Sequence, residues 1–211
     1  MDCDVLIAAY TDLAVDTGFD SVAVPRQIHG HDVDVVVRGK MPRHSRVRVL
    51  LPGRLDGLVT ADAGVLLAST AADCVPIYLL DSEARLLGLL HAGWRGVAGN
   101  ILDRGIEALQ RLGAARGRVR IHLGPAICGR CYEVDAPVLG RFGSPAERAL
   151  LDLRGALIAQ ALDAGLNDAN VTVSTHCTSC GPANLHSHRA SAGEAGRMAA
   201  FMGFRGPNTG V

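Results

Sequence analysis

Cys74 and His91 are the two side chains whose types and spacing first indicate chemistry in this sequence. They flank two apolar runs, residues 75–80 and 86–90, which are separated by the polar residues 81–84. This pattern predicts two buried strands joined by a turn. Antiparallel pairing would return the chain to the same end of the sheet and bring the thiol close to the imidazole. Such a pair could act as a Cys–His nucleophile or as two ligands of one soft metal.

His29 is a third candidate, because it ends an apolar run directly before Gly30. A histidine at a strand end faces the rim of a sheet rather than its core. Two imidazoles and a thiolate, with one position left to water, suit a catalytic zinc ion, and the same donors would also accept copper. The residue types leave another interpretation open, since an isolated buried cysteine commonly serves as a small apolar side chain.

Four further cysteines form two C-x-x-C pairs, Cys128 with Cys131 and Cys177 with Cys180. Two such pairs are typical of a structural zinc ion held by four thiolates. However, 45 residues lie between the two pairs, whereas a spacing of about 15–20 residues is usual. The sequence therefore does not require a second metal.

Short strands dominate the predicted secondary structure. Apolar or alternating runs predict strands in the first third of the chain at residues 5–10, 21–28, 33–37, 46–51, 58–60 and 65–70. Further along, the apolar spacing predicts helices at residues 97–112 and 147–162 and strands at residues 119–123 and 171–174. Residues 195–201 suit either a helix or a strand.

These elements indicate the fold class. Strands outnumber helices and do not alternate regularly with them, so we expect an α/β fold of the α+β type, with a mixed sheet covered by helices. The sequence contains no internal repeat and no convincing linker. Residues 1–211 are therefore expected to form a single domain.

The composition excludes several classes of protein. Of 211 residues, 48% are apolar, and the mean hydropathy is +0.21, as expected for a packed domain rather than a disordered chain. Acidic and basic residues balance at 21 each, so no net charge attracts nucleic acid or an anionic membrane. No apolar run approaches the ~20 residues that span a bilayer, and the N-terminus has no signal-peptide pattern. We therefore expect a cytoplasmic protein.

A series of ordered motifs gives this sequence a family resemblance. The motifs are Arg26-Gln27-Ile28-His29-Gly30, Asp56-Gly57-Leu58-Val59-Thr60, Ala72-Asp73-Cys74-Val75-Pro76-Ile77, His91-Ala92-Gly93-Trp94-Arg95-Gly96, Gly124-Pro125-Ala126-Ile127, Cys131-Tyr132-Glu133-Val134, Leu151-Asp152-Leu153, Cys177-Thr178, Ser187-His188-Arg189 and Gly196-Arg197. From about Pro25 to Phe201 the chain resembles the laccase-domain family, known as multicopper polyphenol oxidases and as purine nucleoside phosphorylase-like proteins. The resemblance implies a mixed β-sheet sandwich related to the cysteine-hydrolase toxins.

The resemblance also implies a site and a function. It assigns His29, Cys74 and His91 as the metal-binding and catalytic residues, with zinc as the expected ion. The implied activities are phosphorolysis of adenosine, inosine, guanosine and methylthioadenosine, accompanied by adenosine deamination. Copper-dependent phenol oxidation is an older attribution, and the editing of peptidoglycan precursors is another family role.

Residue counts help to distinguish these activities. A multicopper centre needs roughly ten or more histidine ligands, whereas the whole chain has eight histidines, so a multicopper centre is not expected. A single metal with an open position suits hydrolytic deamination of a purine. Phosphorolysis needs cations, and Arg26, Arg95 and Arg189 stand in or beside motifs from which they could clamp phosphate.

Three more residues complete the candidate substrate site. Trp94 could stack on a purine, or it could simply fill a glycine-rich turn. Gln27 could contact substrate, or it could join Asp73 in orienting the histidine and cysteine ligands. Asp73 could equally cap a turn.

The start of the chain departs from the family pattern, because only 24 residues precede Pro25 and the arginine and glycine-pair motif expected there is missing.

The leading hypothesis is a zinc-dependent purine nucleoside phosphorylase with adenosine deaminase side activity, acting as a monomer or small homo-oligomer on a nucleoside and phosphate. The alternatives are a Cys–His hydrolase or amidase acting on peptidoglycan precursors, with Cys74 as nucleophile and His91 as base, a copper-dependent polyphenol oxidase, and a non-catalytic binding protein.

Overall fold

The computed structural model describes residues 3–44, 47–50 and 53–206. Its helices are α1 (Cys3–Asp16), α2 (Trp94–Ala98), α3 (Ile101–Arg111), α4 (Ala136–Leu139) and α5 (Leu153–Asp163). Its strands are β1 (Ser21–Ala23), β2 (Val33–Val35), β3 (Arg43–His44), β4 (Val47–Leu50), β5 (Gly57–Thr60), β6 (Val65–Ala71), β7 (Val75–Asp81), β8 (Leu86–Ala92), β9 (Arg120–Leu123), β10 (Glu133–Asp135), β11 (Arg148–Leu150), β12 (Val171–Val173) and β13 (Met198–Met202). Within these residues, every helix is too short or too polar to traverse a bilayer.

Two large mixed sheets form the framework. The first contains six strands in the order β12-β9-β7-β8-β5-β2, and it combines parallel pairs at its edges with antiparallel pairs at its centre. The second has the described strands in the order β13-β6-β1-β4-β3, with β1 parallel to both of its neighbours. Strands β10 and β11 form a separate antiparallel pair. The predicted α/β class with mixed sheets is confirmed.

The apolar residues divide among three clusters that define four layers. Leu58, Leu67 and Leu89 belong to a cluster that joins strands of both large sheets, so the sheets face each other. Helices α3 and α5 cover the other face of the six-stranded sheet, and α1 covers the other face of the five-stranded sheet. Both faces of β6 and β8 are therefore covered, which explains why nearly all of their residues are buried and most of them are apolar.

The hairpin predicted around Cys74 and His91 is confirmed. Strands β7 and β8 are antiparallel, with Pro76 opposite His91 and Val75 opposite Ala92. Cys74 directly precedes β7, and His91 is the next-to-last residue of β8. The return of the chain therefore brings the two residues to the same end of the six-stranded sheet.

The prediction of a strand at residues 5–10 is wrong, because these residues lie in α1. Tyr10 and Ala14 are both buried against the five-stranded sheet, and their separation of four residues is the helical period. The strand predicted at residues 21–28 ends at Ala23. Of the strand predicted at residues 46–51, residues 47–50 form β4, while residues 46 and 51 lie outside the described residues. Residues 195–201 contribute to a strand, β13.

Both predicted helices need correction at their boundaries. The helix expected at residues 97–112 is divided into α2 and α3 at Asn100, which has the left-handed φ of 58°. The helix expected at residues 147–162 begins only at Leu153, because Asp152 accepts the Arg154 N–H and caps the first turn. Residues 148–150 instead pair with β10. Leu150 is consequently exposed, although its spacing from the later leucines suits a helix face.

Asp81 stabilises the far end of the hairpin. Its fully buried carboxylate accepts hydrogen bonds from Ala84 N at 3.1 Å and Ala115 N at 3.3 Å, and it lies 3.3 Å from Arg118 Nε. Asp81→Ala would leave these donors without their partner, so we expect the free energy of unfolding to fall by about 2–3 kcal/mol in urea titrations. The control Glu83→Ala, at a side chain that is 74% exposed, should change it by less than about 0.5 kcal/mol. Equal effects of the two substitutions would contradict this assignment.

Candidate active site

A loop at residues 24–32, here called the His29 loop, is fastened by one buried carboxylate. Asp56 Oδ1 accepts a hydrogen bond from His29 N at 2.9 Å, and Oδ2 accepts hydrogen bonds from Gly30 N at 2.7 Å and Ile28 N at 3.2 Å. His29 has the left-handed φ of 58°, which is uncommon for a residue other than glycine. The three hydrogen bonds to Asp56 hold the loop in this conformation.

The same carboxylate orients His91. Asp56 Oδ1 lies 2.9 Å from His91 Nδ1, and both side chains are buried, with His91 only 3% exposed. The backbone adds a second link, because His91 N donates to Asp56 O at 2.7 Å. With Nδ1 engaged by Asp56, Nε2 is the ring nitrogen available for a metal or a proton. The His29 and His91 rings meet edge to face, with centroids 4.9 Å apart.

Cys74 completes the group. The ligand atoms of His29, Cys74 and His91 all lie within 4.8 Å of one another. Gly93 permits this close packing, since a Cβ at that position would lie 3.1 Å from Cys74 Sγ and 3.3 Å from the His29 ring. The structure therefore brings together the three residues that the sequence selected, although they come from a loop and from two strand ends.

The charges within the group favour a thiolate. Burial raises the pKa of Cys74, but interactions with His29 and His91 outweigh this effect and lower the pKa to about 6. Burial lowers the pKa of His91, but Asp56 and Cys74 reverse the effect and raise the pKa to about 9. Burial also raises the pKa of Asp56, yet hydrogen bonds from His91 and Gly30 lower it overall. A thiolate is the form that binds metals and also the form that acts as a nucleophile.

Asp73, which directly precedes Cys74, is held in place by three hydrogen bonds. Its Oδ1 accepts a hydrogen bond from Thr178 Oγ1 at 2.6 Å, and its Oδ2 accepts one from Arg189 N at 2.7 Å. Its backbone oxygen accepts a hydrogen bond from Ile127 N at 3.1 Å. Asp73 therefore links the cysteine to three segments that are far away in the sequence.

A cavity of about 460 Å³ opens onto the three residues. This volume is typical of a site for a small organic molecule. Three arginines also line the cavity, together with a histidine and two aromatic residues: Arg95, Arg189, Arg197, His188, Trp94 and Tyr132. The cavity thus combines soft metal donors, cations and flat apolar rings.

The predicted substrate residues have different environments. Trp94, Arg95 and Arg189 line the cavity. The Arg95 guanidinium lies 4.2 Å from the centroid of the Trp94 ring, and Arg189 donates to Glu133 O at 2.7 Å. Arg26 is exposed and does not line the cavity.

Gln27 lines the cavity, but its amide is bonded to β6. Its Nε2 donates to Thr70 O at 2.7 Å, and its Oε1 accepts hydrogen bonds from Thr70 N and Oγ1, both at 2.9 Å. The His29 loop is therefore tied to the five-stranded sheet through Gln27 and to the six-stranded sheet through Asp56. This arrangement suits positioning of the loop.

Several residues of the site were not predicted. Asp56 stood in a quoted motif without a role, and its position just before the predicted strand at residues 58–60 was the available signal. Tyr132, His188 and Arg197 also belonged to quoted motifs. These three reach the cavity from segments whose convergence depends on tertiary structure, and the local sequence carries no signal for it.

A family model described as multi-copper polyphenol oxidoreductase laccase matches residues 5–205. Among curated proteins, the purine nucleoside phosphorylase YlmD of Geobacillus stearothermophilus is 40% identical over 195 residues, which are 85% of this chain and 70% of that relative. The adenosine deaminase RL5, from an unknown prokaryotic organism, is 34% identical over 208 residues, which are 92% of this chain and 78% of that relative.

The fold is also similar to that of a solved relative. The crystal structure of YlmD from Geobacillus stearothermophilus aligns with a TM-score of 0.83 at 37% sequence identity. The alignment covers 93% of this chain and 78% of the other. The similarity therefore extends over nearly the whole chain.

Proposed function

Because this chain belongs to the multi-copper polyphenol oxidoreductase laccase family, we propose that it is a zinc-dependent purine nucleoside phosphorylase with adenosine deaminase side activity. Its proposed substrates are adenosine, inosine, guanosine and methylthioadenosine, each with phosphate. The names of its relatives YlmD and RL5 support these two activities. The observation that carries the proposal is the joint presence of a His–Cys–His group and three arginines in one cavity.

The donor set fits a single zinc ion. Two imidazoles and a thiolate are common zinc ligands, and three protein ligands leave a position open for catalysis. The Asp56 carboxylate on His91 Nδ1 is the outer partner that zinc-binding histidines usually have. In the part of the chain that the structure describes, the second group of potential metal ligands consists of cysteines alone, which does not support the histidine-rich centre of a multicopper oxidase. A zinc ion held by His29, Cys74 and His91 would supply a Lewis acid to the cavity.

The arginines suit phosphate. Arg95, Arg189 and Arg197 line the cavity, and guanidinium groups bind phosphate through paired, charge-assisted hydrogen bonds. In phosphorolysis, a phosphate oxygen attacks C1′ of the ribose, the bond from C1′ to the purine nitrogen breaks, and the base leaves with a proton. Fixing the phosphate beside C1′ supplies much of the required orientation.

The rings suit the purine. Trp94 and Tyr132 are partly buried and line the same cavity, and flat aromatic side chains stack favourably on a heterocycle. His188 also faces the cavity and is our candidate for the proton donor to the departing base. We place this activity in the cytoplasm, as the sequence predicts.

Incubation of the zinc-loaded protein with adenosine, with and without phosphate, tests the proposal. We expect adenine and ribose 1-phosphate when phosphate is present, and inosine when it is absent. His29→Ala should lose both activities, whereas the control His122→Ala, at an exposed histidine outside the cavity, should retain them. Zinc-loaded protein that forms no product under either condition would refute the proposal.

Replacing Arg95 should separate the two activities. Arg95→Gln removes a cation that only phosphorolysis requires, so we expect kcat/KM for phosphate to fall about 10–100-fold, the equivalent of one charge-assisted hydrogen bond. Deamination without phosphate should change less than about threefold. Arg26→Gln is the matched control, because Arg26 is exposed and lies outside the cavity lining. Equal losses of phosphorolysis and deamination in Arg95→Gln would argue against a role in phosphate binding.

A further inference from the structure

We propose that Cys128, Cys131, Cys177 and Cys180 bind a structural zinc ion at a second site, independent of the proposed activity. All four Sγ atoms lie within 4.8 Å of one another, and all four cysteines are free thiols. None of the four lines the cavity described above. Four thiolates that converge in this way form the closed ligand set of structural zinc sites.

The distance between two of the sulfur atoms is close to the distance expected in a tetrahedral zinc site. With a Zn–S distance of about 2.3 Å, the edges of a tetrahedral four-sulfur site measure about 3.8 Å. Cys128 Sγ and Cys180 Sγ are 4.0 Å apart, close to such an edge and about twice the length of a disulfide bond. The group therefore needs only a small contraction to surround a zinc ion.

The backbone around Cys177 is arranged to stabilise a thiolate. Cys177 Sγ accepts hydrogen bonds from Ser179 N at 3.4 Å, Cys180 N at 3.5 Å and Cys128 N at 3.3 Å. Hydrogen bonds to sulfur are a principal way in which proteins tune metal thiolates. The chain then turns back at Gly181, where a Cβ would lie 2.1 Å from Cys177 O, so only glycine fits this turn.

The tertiary structure removes the objection raised by the long spacing between the two C-x-x-C pairs. Ala126 and Cys177 form a parallel β-bridge, and Thr178 N donates to Ala126 O at 3.2 Å. This bridge aligns the two pairs, while β10, β11, α5 and β12 lie in the chain between them. The usual spacing describes small zinc modules, whereas here a folded insertion separates the two halves of the site.

The proposed zinc would also stabilise the active site through contacts with Asp73. Thr178 lies between Cys177 and Cys180 in the sequence, and its hydroxyl donates to Asp73, the neighbour of Cys74. Ile127, next to Cys128, donates its N–H to the backbone oxygen of Asp73. A zinc ion that joins the two cysteine pairs would thus hold two of the three segments that fix Asp73.

Zinc content of the purified, reduced, full-length protein tests this site. We expect Cys128→Ser combined with Cys180→Ser to lose one zinc ion per chain relative to its parent, and to do so equally when His29→Ala is also present. Ser179→Ala is the matched control and should lose no zinc, because only the backbone of Ser179 contacts Cys177. Zinc content that the double substitution leaves unchanged would refute the second site.

Cobalt spectroscopy tests the site without disturbing its cysteines. In Cys74→Ala, which retains the four cysteines, added Co²⁺ should give the intense sulfur-to-metal charge-transfer absorption of a tetrahedral four-thiolate site, and Zn²⁺ should displace it. A folded, reduced protein that lacks this absorption would overturn the proposal. Failure of the nucleoside assay would leave this result unaffected, so the two proposals are tested separately.

Discussion

Cys74→Ala is expected to remove the zinc ion that we propose is held by His29, Cys74 and His91, and to lower both proposed activities, phosphorolysis and deamination, by more than about a hundredfold. The estimate rests on the position of the thiol, whose Sγ belongs to the group of ligand atoms within 4.8 Å of one another. Loss of a direct ligand should exceed the 10–100-fold effect that outer partners of a metal produce. Zinc measurement by atomic absorption, together with the adenosine assay, checks both parts of the prediction.

A control variant and the result expected for a hydrolase distinguish a zinc ligand from a nucleophile at Cys74. Cys128→Ser also removes one thiol, but at the second site, so it should retain the zinc ion at His29 and His91. The hydrolase alternative predicts something different, because Cys74 would then be a nucleophile. A metal-free protein that hydrolyses a peptidoglycan precursor, and that loses this activity when iodoacetamide alkylates Cys74, would exclude zinc ligation as the role of this thiol.

Asp56→Asn should have the second large effect. The carboxylate accepts hydrogen bonds from three backbone N–H groups and lies beside His91 Nδ1, whereas the introduced amide offers only one acceptor oxygen. We expect zinc affinity to fall about 10–100-fold. The free energy of unfolding should fall by about 3 kcal/mol, because donors that faced a buried charge lose it.

Competition with a zinc chelator and urea unfolding measure these two effects. Asp34→Asn is a suitable control, since Asp34 is exposed and contacts only the neighbouring Val35 N. It should alter the free energy of unfolding by less than about 0.5 kcal/mol. Unchanged zinc affinity in Asp56→Asn would show that His91 needs no partner on Nδ1, and the positioning role of Asp56 would be wrong.

The hairpin was predictable because its signals are local. Two apolar runs of strand length surround a polar turn, and antiparallel return brings Cys74 and His91 together without any knowledge of the rest of the fold. His29 could be selected by its residue type and neighbouring glycine. Its distance from Cys74 could not, because the His29 loop crosses between two sheets whose stacking the sequence pattern does not encode.

Two predictions failed because the spacing of apolar residues in a segment can suit more than one type of element. Leucine spacing at residues 147–162 is compatible with a continuous helix, but residues 148–150 gain hydrogen bonds from β10, which lies about 15 residues earlier. Apolar spacing at residues 5–10 was likewise ambiguous between strand and helix for so short a run. The proximity of the two cysteine pairs was not predictable from the sequence, because the bridge from Ala126 to Cys177 spans 51 positions of the chain.

The sharing of Asp56 Oδ1 by both histidines has a mechanical consequence. The oxygen accepts a hydrogen bond from His29 N and lies beside His91 Nδ1, each at 2.9 Å. A displacement of Asp56 therefore moves both histidines in the same direction, and the distance between them changes little. Cys74 adjoins β7, which pairs with the strand of His91, but its neighbour Asp73 is also held by Thr178 and Ile127. Across several crystal structures, the spacing of the two imidazoles should therefore vary less than the distance from either one to the sulfur. The two imidazoles would therefore form the more rigid part of the group, and the thiolate the part whose position varies more.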